Sequence, residues 1–391
     1  MSDDAITLEP ERESPPPNPG AKKLLRSVIP AFLLSRVLIW IAGAGYFAAR
    51  EPVIGTALFS RRTWQSVYHL VTGWDGQWYI AAATRGYGPS GVNPDGQSTA
   101  PFFPLLPGLI KAGGYLGLSP GLTGLLIASS AFFACLSLLF LLGWEKGGEV
   151  MARRVTWFAA LSPFAFVFSM IYPDGIFMAA SIGAFLLVRR ERWLWAALAA
   201  VPAALVRPNG LVLAIALGYA AWTSGGDLKE RLSRLIPLGL PAAAVTGWIL
   251  ALQAMSGNGF AFVSSKVAWN ELAVWDAIPA TVNLLTGGSG QTLPVAAAIH
   301  LALAGLGGYV LIAGRKIYDR GWGLYCVLVM AAPAVLGIIG LARYMIALFP
   351  LYIALADLVD EGGRAERWLI FGTGLATPVI LAGVFMGRLV P

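Results

Sequence analysis

The chain has 391 residues, of which 57% are hydrophobic and only 13% are charged. Soluble globular domains carry about 25% charged residues, so this composition excludes an ordinary soluble protein, a disordered chain and a disulfide-stapled scaffold. The formal net charge is +7, but the basic residues are spread between apolar segments, which argues against nucleic-acid binding. The composition therefore predicts an all-α polytopic membrane protein.

The first 24 residues are predicted to be a disordered cytoplasmic tail, because residues 1–20 are acidic, rich in proline and nearly free of apolar side chains. Residues 25–391 are predicted to form one transmembrane domain. A helix of about 20 apolar residues crosses a bilayer, and eleven stretches of the chain approach or reach that length. In chain order these candidate spans are 28–49, 121–143, 155–172, 175–188, 193–206, 210–222, 235–255, 293–314, 322–342, 344–358 and 368–387.

The positions of Lys and Arg orient these spans. Eighteen Lys and Arg residues fall on the side of the N-terminal tail and nine on the opposite side. By the positive-inside rule, this asymmetry predicts a cytoplasmic N-terminus. Residues 50–120 and 256–292 then form the first and second external loops. The apolar stretch 102–118 has prolines near its start and a lysine inside, so it is predicted to be interfacial or re-entrant rather than to cross.

Residues 193–222 are predicted to form a helical hairpin. As one continuous helix they would measure about 45 Å, which is too long for a single span. Basic clusters flank both ends, and the midpoint reads Arg207-Pro208-Asn209-Gly210. Both ends would therefore lie inside, with Arg207 at the outer tip.

The strongest candidate for chemistry is the run Trp74-Asp75-Gly76-Gln77-Trp78-Tyr79 in the first external loop. A carboxylate between tryptophans at a membrane surface is partly desolvated, which suits a general base, and the tryptophans suit a sugar or a lipid headgroup. The alternative is an ordinary aromatic belt with an incidental aspartate.

Three further residues at predicted outer helix ends carry charge. Asp174, in Tyr172-Pro173-Asp174-Gly175, has a turn as its alternative interpretation, since Pro-Asp-Gly is turn chemistry. Arg207 and Arg343 suit phosphate oxygens, with snorkelling as the alternative. Two carboxylates and two arginines that converge on one face make a stronger case than any one of these residues.

Other polar residues give weaker signals. His69 and His300 are lone histidines without metal-ligand spacing, so a structural role is predicted for both and a divalent metal is not supported. No nucleotide-binding or serine-hydrolase motif occurs, and no cofactor is predicted. Arg36, inside the first span, needs a partner that the sequence does not identify.

Taken in order, these motifs resemble those of PIG-V-type mannosyltransferases, also called GPI mannosyltransferase 2-like enzymes. The resemblance covers roughly residues 30–355. The motifs that carry it are Trp74–Tyr79, Gly86-Tyr87, Phe102-Phe103-Pro104-Leu105-Leu106-Pro107, Ser162-Pro163-Phe164, Tyr172-Pro173-Asp174, Arg207-Pro208-Asn209-Gly210 and Arg343-Tyr344 with Phe349-Pro350-Leu351. The family usually has Glu where this chain has Asp174.

The resemblance implies a GT-C glycosyltransferase fold with its active site on the extracytoplasmic face. It also implies a polyprenyl-phosphate-linked mannose donor, a lipid-linked or glycan acceptor, and inversion at the anomeric carbon. Asp75 and Asp174 are the predicted catalytic residues, with Asp75 as the general base. Arg343, Arg207 and Tyr344 are predicted to bind the donor phosphate. Sugar or acceptor contacts are predicted for Trp74, Gln77, Trp78, Tyr79, Tyr172 and Asn209.

Two other functions stay open. A transporter or flippase of a lipid-linked glycan would place polar groups near the bilayer midplane on broken helices, whereas the candidates here lie at one face. A non-catalytic membrane scaffold is the second alternative, since eukaryotic members of the family work beside a partner subunit. Membrane lipids and such a subunit are thus the expected partners besides the substrates.

Overall fold

The computed structural model describes residues 18–50, 58–88, 91–265, 292–336 and 340–385, together with residues 268, 279 and 282. This part of the chain is built from α-helices and short 3-10 turns and contains no β-strand. The helices are α1 (Gly20–Ala48), α2 (Arg61–Thr72), α3 (Asp75–Arg85), α4 (Leu105–Gly114), α5 (Pro120–Ala160), α6 (Asp174–Arg189), α7 (Trp193–Val206), α8 (Leu211–Thr223), α9 (Leu228–Leu235), α10 (Gly239–Ser256), α11 (Ala261–Ser264), α12 (Thr292–Ala313), α13 (Trp322–Leu336), α14 (Leu341–Ile346), α15 (Phe349–Leu358) and α16 (Arg364–Phe385).

Long apolar helices dominate the described part of the chain. Four stretches are long and apolar enough to cross a membrane, namely Gly20–Ala48, Pro120–Ala160, Leu228–Ser256 and Arg364–Val384. Shorter apolar helices cover Trp193–Val206, Ala298–Ala313, Trp322–Ala331 and Phe349–Leu358. These helices support an integral membrane protein, while the count of eleven spans stays a prediction. Most of the predicted tail, residues 1–17, lies outside the described residues, and α1 already includes residues 20–24.

The predicted span 155–172 is wrong as a continuous helix. Helix α5 ends at Ala160, and residues Ala165–Ser169 form a 3-10 turn instead. Pro163 explains the break, because it lacks an N–H donor and disfavours helical backbone in the residue before it. A second interruption lies inside α5 itself, where Gly147 and Gly148 leave helical geometry. Hydropathy counts apolar side chains and detects neither break.

The predicted break in the 193–222 region is confirmed. Helices α7 and α8 are joined through Arg207, which has extended backbone, and a 3-10 turn at Pro208–Gly210. Position 210 requires glycine because a Cβ atom there would lie 1.8 Å from the carbonyl oxygen of Ala203. The turn therefore brings the backbone of α8 into contact with the last turns of α7.

Three short helices, α2, α3 and α4, occupy the described part of the predicted first loop. Helix α4 has 10 residues and would reach about 15 Å, which is shorter than the hydrocarbon core of a bilayer, while the interfacial position of 102–118 stays a prediction. The Tyr87 hydroxyl donates to the carbonyl oxygen of Phe102 at 2.7 Å, and burial raises the pKa of Tyr87. This bond joins two of the motifs. Most of the second predicted loop, 266–291, lies outside the described residues.

At the predicted inner side, five charged side chains connect three segments. Lys146 and Arg189 both contact Asp319, at 2.7 and 2.5 Å. Glu145 accepts from Arg189 at 3.0 Å and from Arg190 at 2.7 Å. These contacts link α5, the end of α6 and the segment before α13. They close the helix bundle at the end opposite to the candidate site.

Candidate functional site

Asp75 is the first residue of α3. The preceding Trp74 has φ 51 and ψ −131, an uncommon conformation for a non-glycine residue, and it turns the chain sharply between α2 and α3. A carboxylate in the first helical turn is stabilised by the unpaired backbone N–H groups there. The Asp75 side chain keeps 33% of its surface exposed. It is therefore a carboxylate that is fixed by its helix and still reachable.

Asp174 occupies the same position at the start of α6, after Pro173, but it is fully buried. The two helix starts lie side by side because the N–H of Ile171 donates to the carbonyl oxygen of Val71 at 3.2 Å. Gly76 allows this approach, since a Cβ atom there would lie 3.3 Å from the Ile171 Cβ. Two carboxylates nearly a hundred residues apart in the chain thus reach one site.

Arg343 connects the two carboxylates. Its Nη1 donates to Asp75 Oδ2 at 2.7 Å, and its Nε lies 3.6 Å from Asp174 Oδ1. Arg343 sits on the short helix α14, whose N–H of Ala342 donates to His300 Nδ1 at 3.3 Å. His300 thus has a structural contact that holds α14, which agrees with the role predicted for it.

Arg207 forms the second half of the charge cluster. Its Nη2 lies 2.8 Å from Asp174 Oδ1, so Asp174 faces both arginines. Arg207 is only 4% exposed and Asn209 only 7%. Within the described part of the chain, Asp174 Oδ2, Arg207 Nη1 and both side-chain polar atoms of Asn209 have no hydrogen-bond partner. The interior of the cluster therefore contains polar atoms with unused bonding capacity, an arrangement that costs free energy.

Aromatic rings separate and support the two guanidinium groups. The Tyr344 ring lies 5.0 Å from the guanidinium carbon of Arg207 and 5.7 Å from that of Arg343. Tyr172 lies 4.8 Å from Arg343, and Phe177 lies 5.0 Å from Arg207. Each of these cation–π contacts attracts a guanidinium group to the face of a ring, and Asp174 lies between the two like charges. Sequence reasoning missed Phe177, although it follows Asp174 by three residues and so shares its helix face.

The remaining predicted residues of the first loop do not all face the charge cluster. Trp78 stacks on Phe102 with ring centres 5.9 Å apart, and Tyr79 meets the same ring edge-on at 5.0 Å. Trp74 packs against the core. Gln77 instead lines an open groove of about 340 Å³ between α2 and α3. Two residues along a helix correspond to a turn of about 200°, so Gln77 and Asp75 lie on opposite faces of α3.

The charge cluster contains two carboxylates and two guanidinium groups, so its formal charge is balanced. Only Asp75 and Arg343 have exposed side-chain surface of more than a tenth, at 33% and 12%. Among the described residues, no group of three or more His, Cys, Asp or Glu side chains is close enough to hold a metal ion. The cluster can accept a proton at Asp75 and an anion at Arg343.

No protein-family model and no curated protein sequence matches the chain. Two solved structures of the oligosaccharyltransferase from Archaeoglobus fulgidus are similar in fold. The apo form aligns with a TM-score of 0.51 and 14% identity over 92% of this chain and 55% of the other. The complex with Zn and sulfate aligns with a TM-score of 0.51 and 14% identity over 92% of this chain and 52% of the other. The chain spans about half the length of these neighbours and has their fold.

Proposed function

We propose that the chain is an integral membrane glycosyltransferase of the PIG-V type. It transfers a mannosyl residue from a polyprenyl-phosphate-linked donor to a lipid-linked or glycan acceptor on the extracytoplasmic face, with inversion at the anomeric carbon. The observation that carries the proposal is the Asp75–Arg343 pair, partly exposed at the edge of an otherwise buried charge cluster. Mannose as the sugar rests on the resemblance in sequence.

Asp75 is the general base of the proposed reaction. The acceptor hydroxyl gives its proton to the Asp75 carboxylate while its oxygen attacks the anomeric carbon. The bond from that carbon to the phosphate oxygen breaks at the same time, and the electron pair leaves with the phosphate. The transition state resembles an oxocarbenium ion, as in glycoside hydrolysis. The products are the glycosylated acceptor and a polyprenyl monophosphate.

Arg343 binds the donor phosphate in this reaction. The phosphodiester becomes a phosphomonoester and gains negative charge as the bond breaks, so a fixed guanidinium stabilises the transition state more than the ground state. The phosphate competes with Asp75 for Arg343 Nη1, which now donates to Asp75 at 2.7 Å. Donor binding thereby weakens the ion pair between Arg343 and Asp75 and frees the Asp75 carboxylate to contact the acceptor hydroxyl.

Asp174 and Arg207 support this arrangement from the buried side of the cluster. Asp174 and Arg207 are buried beyond reach of a substrate, so Asp174 acts by fixing the arginines and not as a catalytic acid or base. This revises the direct catalytic role predicted for Asp174 and the donor contact predicted for Arg207. It also explains why Asp can stand where the family usually has Glu, since the carboxylate needs to reach only its neighbours.

Transfer by the purified protein tests the proposal. The protein is incubated with radiolabelled polyprenyl-phosphate-mannose, with and without acceptor lipid, and the products are separated. We expect label to move to the acceptor only when both substrates are present. Movement of intact donor across a reconstituted bilayer without transfer would instead favour a flippase, and the absence of both activities would favour a scaffold.

A further inference from the structure

Arg36 is a buried cation in α1 whose contacts are all neutral among the described residues. It is 7% exposed. Its Nη1 donates to Ser169 Oγ at 2.5 Å and its Nη2 to the carbonyl oxygen of Ala165 at 3.1 Å. Its guanidinium carbon lies 4.5 Å from the centre of the Phe132 ring. Burial of a charge in an apolar helix bundle costs free energy, so Arg36 is a candidate for a role that an apolar residue could not fill.

The acceptors of Arg36 are the two ends of the 3-10 turn Ala165–Ser169. This turn lies between α5 and α6 and has i→i+3 hydrogen bonds, whose geometry is poorer than that of the bonds in an α-helix. Two residues after the turn, Ile171 is bonded to Val71 and thereby to the loop that carries Asp75. Five residues after it, Asp174 begins α6. The segment that Arg36 contacts is therefore linked to both carboxylates.

A second contact chain leads from Arg36 to the same helix start. Phe132 lies between the guanidinium of Arg36 and the ring of Phe168, with which it stacks at 4.4 Å. At Gly175, a Cβ atom would lie 3.3 Å from the backbone nitrogen of Phe132. The start of α6 thus packs directly on the turn of α5 that carries Phe132.

We propose that Arg36 is a positioning residue for the charge cluster: it clamps the 3-10 turn Ala165–Ser169 and so holds Asp174 in register with Asp75. A planar guanidinium can donate to two acceptors in divergent directions, whereas an ammonium group is a single compact donor centre. The effect on catalysis rests on the proposed function, but the effect on the position of the turn does not.

The test compares Arg36→Lys and Ser169→Ala with Val28→Ala, a cavity variant in the same helix at a fully buried residue that takes no part in these contacts. Misplacement by about 1 Å costs up to about 100-fold in rate. We expect kcat of the folded protein to fall by about tenfold or more in Arg36→Lys, with a smaller change in donor KM. We expect kcat to fall in Ser169→Ala as well. Val28→Ala should lose thermal stability and keep the wild-type kcat.

Amide hydrogen exchange gives a readout that does not need activity. The N–H of Ile171 should exchange roughly fivefold to tenfold faster in Arg36→Lys and Ser169→Ala, as for loss of one hydrogen bond, and at the wild-type rate in Val28→Ala. Unchanged exchange and unchanged kcat in folded Ser169→Ala would overturn the inference. Faster exchange in a protein whose wild type transfers no sugar would support the clamp and count against the proposed function.

Discussion

Asp75 and Asp174 are the same residue type at the same helical position, but their surroundings differ. Asp75 is one-third exposed and shares one arginine, whereas Asp174 is fully buried and faces two. A buried ion pair contributes little net stability, but removal of one partner leaves an uncompensated charge. Arg343 pairs with the partly exposed Asp75, whereas Arg207 pairs with the buried Asp174. Substitutions at the two arginines should therefore have different effects.

Replacing Arg343 by Lys should weaken donor binding. The ammonium group keeps the charge but loses the planar fork that suits phosphate oxygens. We expect the apparent donor affinity to fall about tenfold or more, about 1.4 kcal/mol, with a smaller change for the acceptor. Initial-rate measurements of donor and acceptor KM check this. An unchanged donor KM in a folded Arg343→Lys protein would contradict the assignment of the phosphate to Arg343.

Replacing Arg207 by Lys should act on stability instead. Arg207 is enclosed by Asp174, Phe177 and Tyr344, and it cannot reach a donor without leaving Asp174. We expect Arg207→Lys to lower the thermal unfolding temperature while the folded fraction keeps a donor KM close to that of the wild type. A donor KM raised as much as in Arg343→Lys would show that Arg207 also contacts the phosphate.

At this scale, the sequence predicted the convergence of Asp75, Asp174, Arg207 and Arg343, because charged residues at outer helix ends have few alternative partners. It did not predict how the charges are shared, since that depends on Ile171 meeting Val71 across the fold. Nor could it find the partner of Arg36. The acceptors, Ser169 and the carbonyl of Ala165, lie about 130 residues away in a stretch that hydropathy assigns to a helix.

Among the elements, the α7–α8 hairpin carries Arg207 and Asn209 to the charge cluster. Its boundaries could be predicted because Arg-Pro-Asn-Gly interrupts a long apolar run with basic clusters at both ends. The predicted span 155–172 failed for the complementary reason: the run Phe164–Phe168 is as apolar as a span, but Pro163 precedes it and the chain turns into a 3-10 segment. The apolar composition of this run thus indicates that it is buried, but it does not indicate a continuous helix.

Substitution of Gly210 by Ala should disrupt this hairpin. The new Cβ would meet the Ala203 carbonyl oxygen at 1.8 Å, a backbone atom that cannot rotate away. We expect a loss of stability of about 1–3 kcal/mol or more, as for an overpacked core. Thermal unfolding in detergent measures it.

Gly218→Ala in α8 is the matched control. A Cβ atom there would lie 3.6 Å from Leu235 Cδ2, an ordinary contact, and Ala is the better helix former by about 1 kcal/mol. The control should unfold at the wild-type temperature or slightly above it. Equal unfolding temperatures for Gly210→Ala and Gly218→Ala would show that the hairpin tip can relax.

In the whole molecule, the proposed function requires the charge cluster and the first loop to lie outside and the ion pairs around Asp319 to lie inside. The Lys and Arg asymmetry predicts this orientation. The fold brings Asp75, Asp174, Arg207 and Arg343 to one place, and Glu145, Lys146, Arg189 and Asp319 to another. Nucleotide sugars are cytoplasmic, so an external site requires a lipid-carried sugar.

Cysteine labelling tests the orientation. Asp95 and Lys229 are exposed and suit replacement by cysteine, whereas the nearby Gly96 and Gly226 have positive φ values of 77 and 91 that disfavour substitution. The native Cys135 and Cys326 are free and buried, so they add little background. On intact cells, a membrane-impermeant maleimide should label Asp95→Cys and not Lys229→Cys. Labelling of Lys229→Cys alone would invert the topology.

The turnover of Asp75→Asn tests whether Asp75 is the general base of the proposed glycosyl transfer. Asn keeps the shape of the side chain and can still hydrogen-bond to Arg343, but it cannot take the acceptor proton. Asp95→Asn, the same substitution at an exposed residue of the same loop, is the control. A positioned base contributes about 10²–10⁴-fold, so Asp75→Asn should lose at least about 100-fold in mannosyl transfer while it still binds donor, and Asp95→Asn should lose nothing. Near-normal transfer by folded Asp75→Asn would show that Asp75 is not the general base.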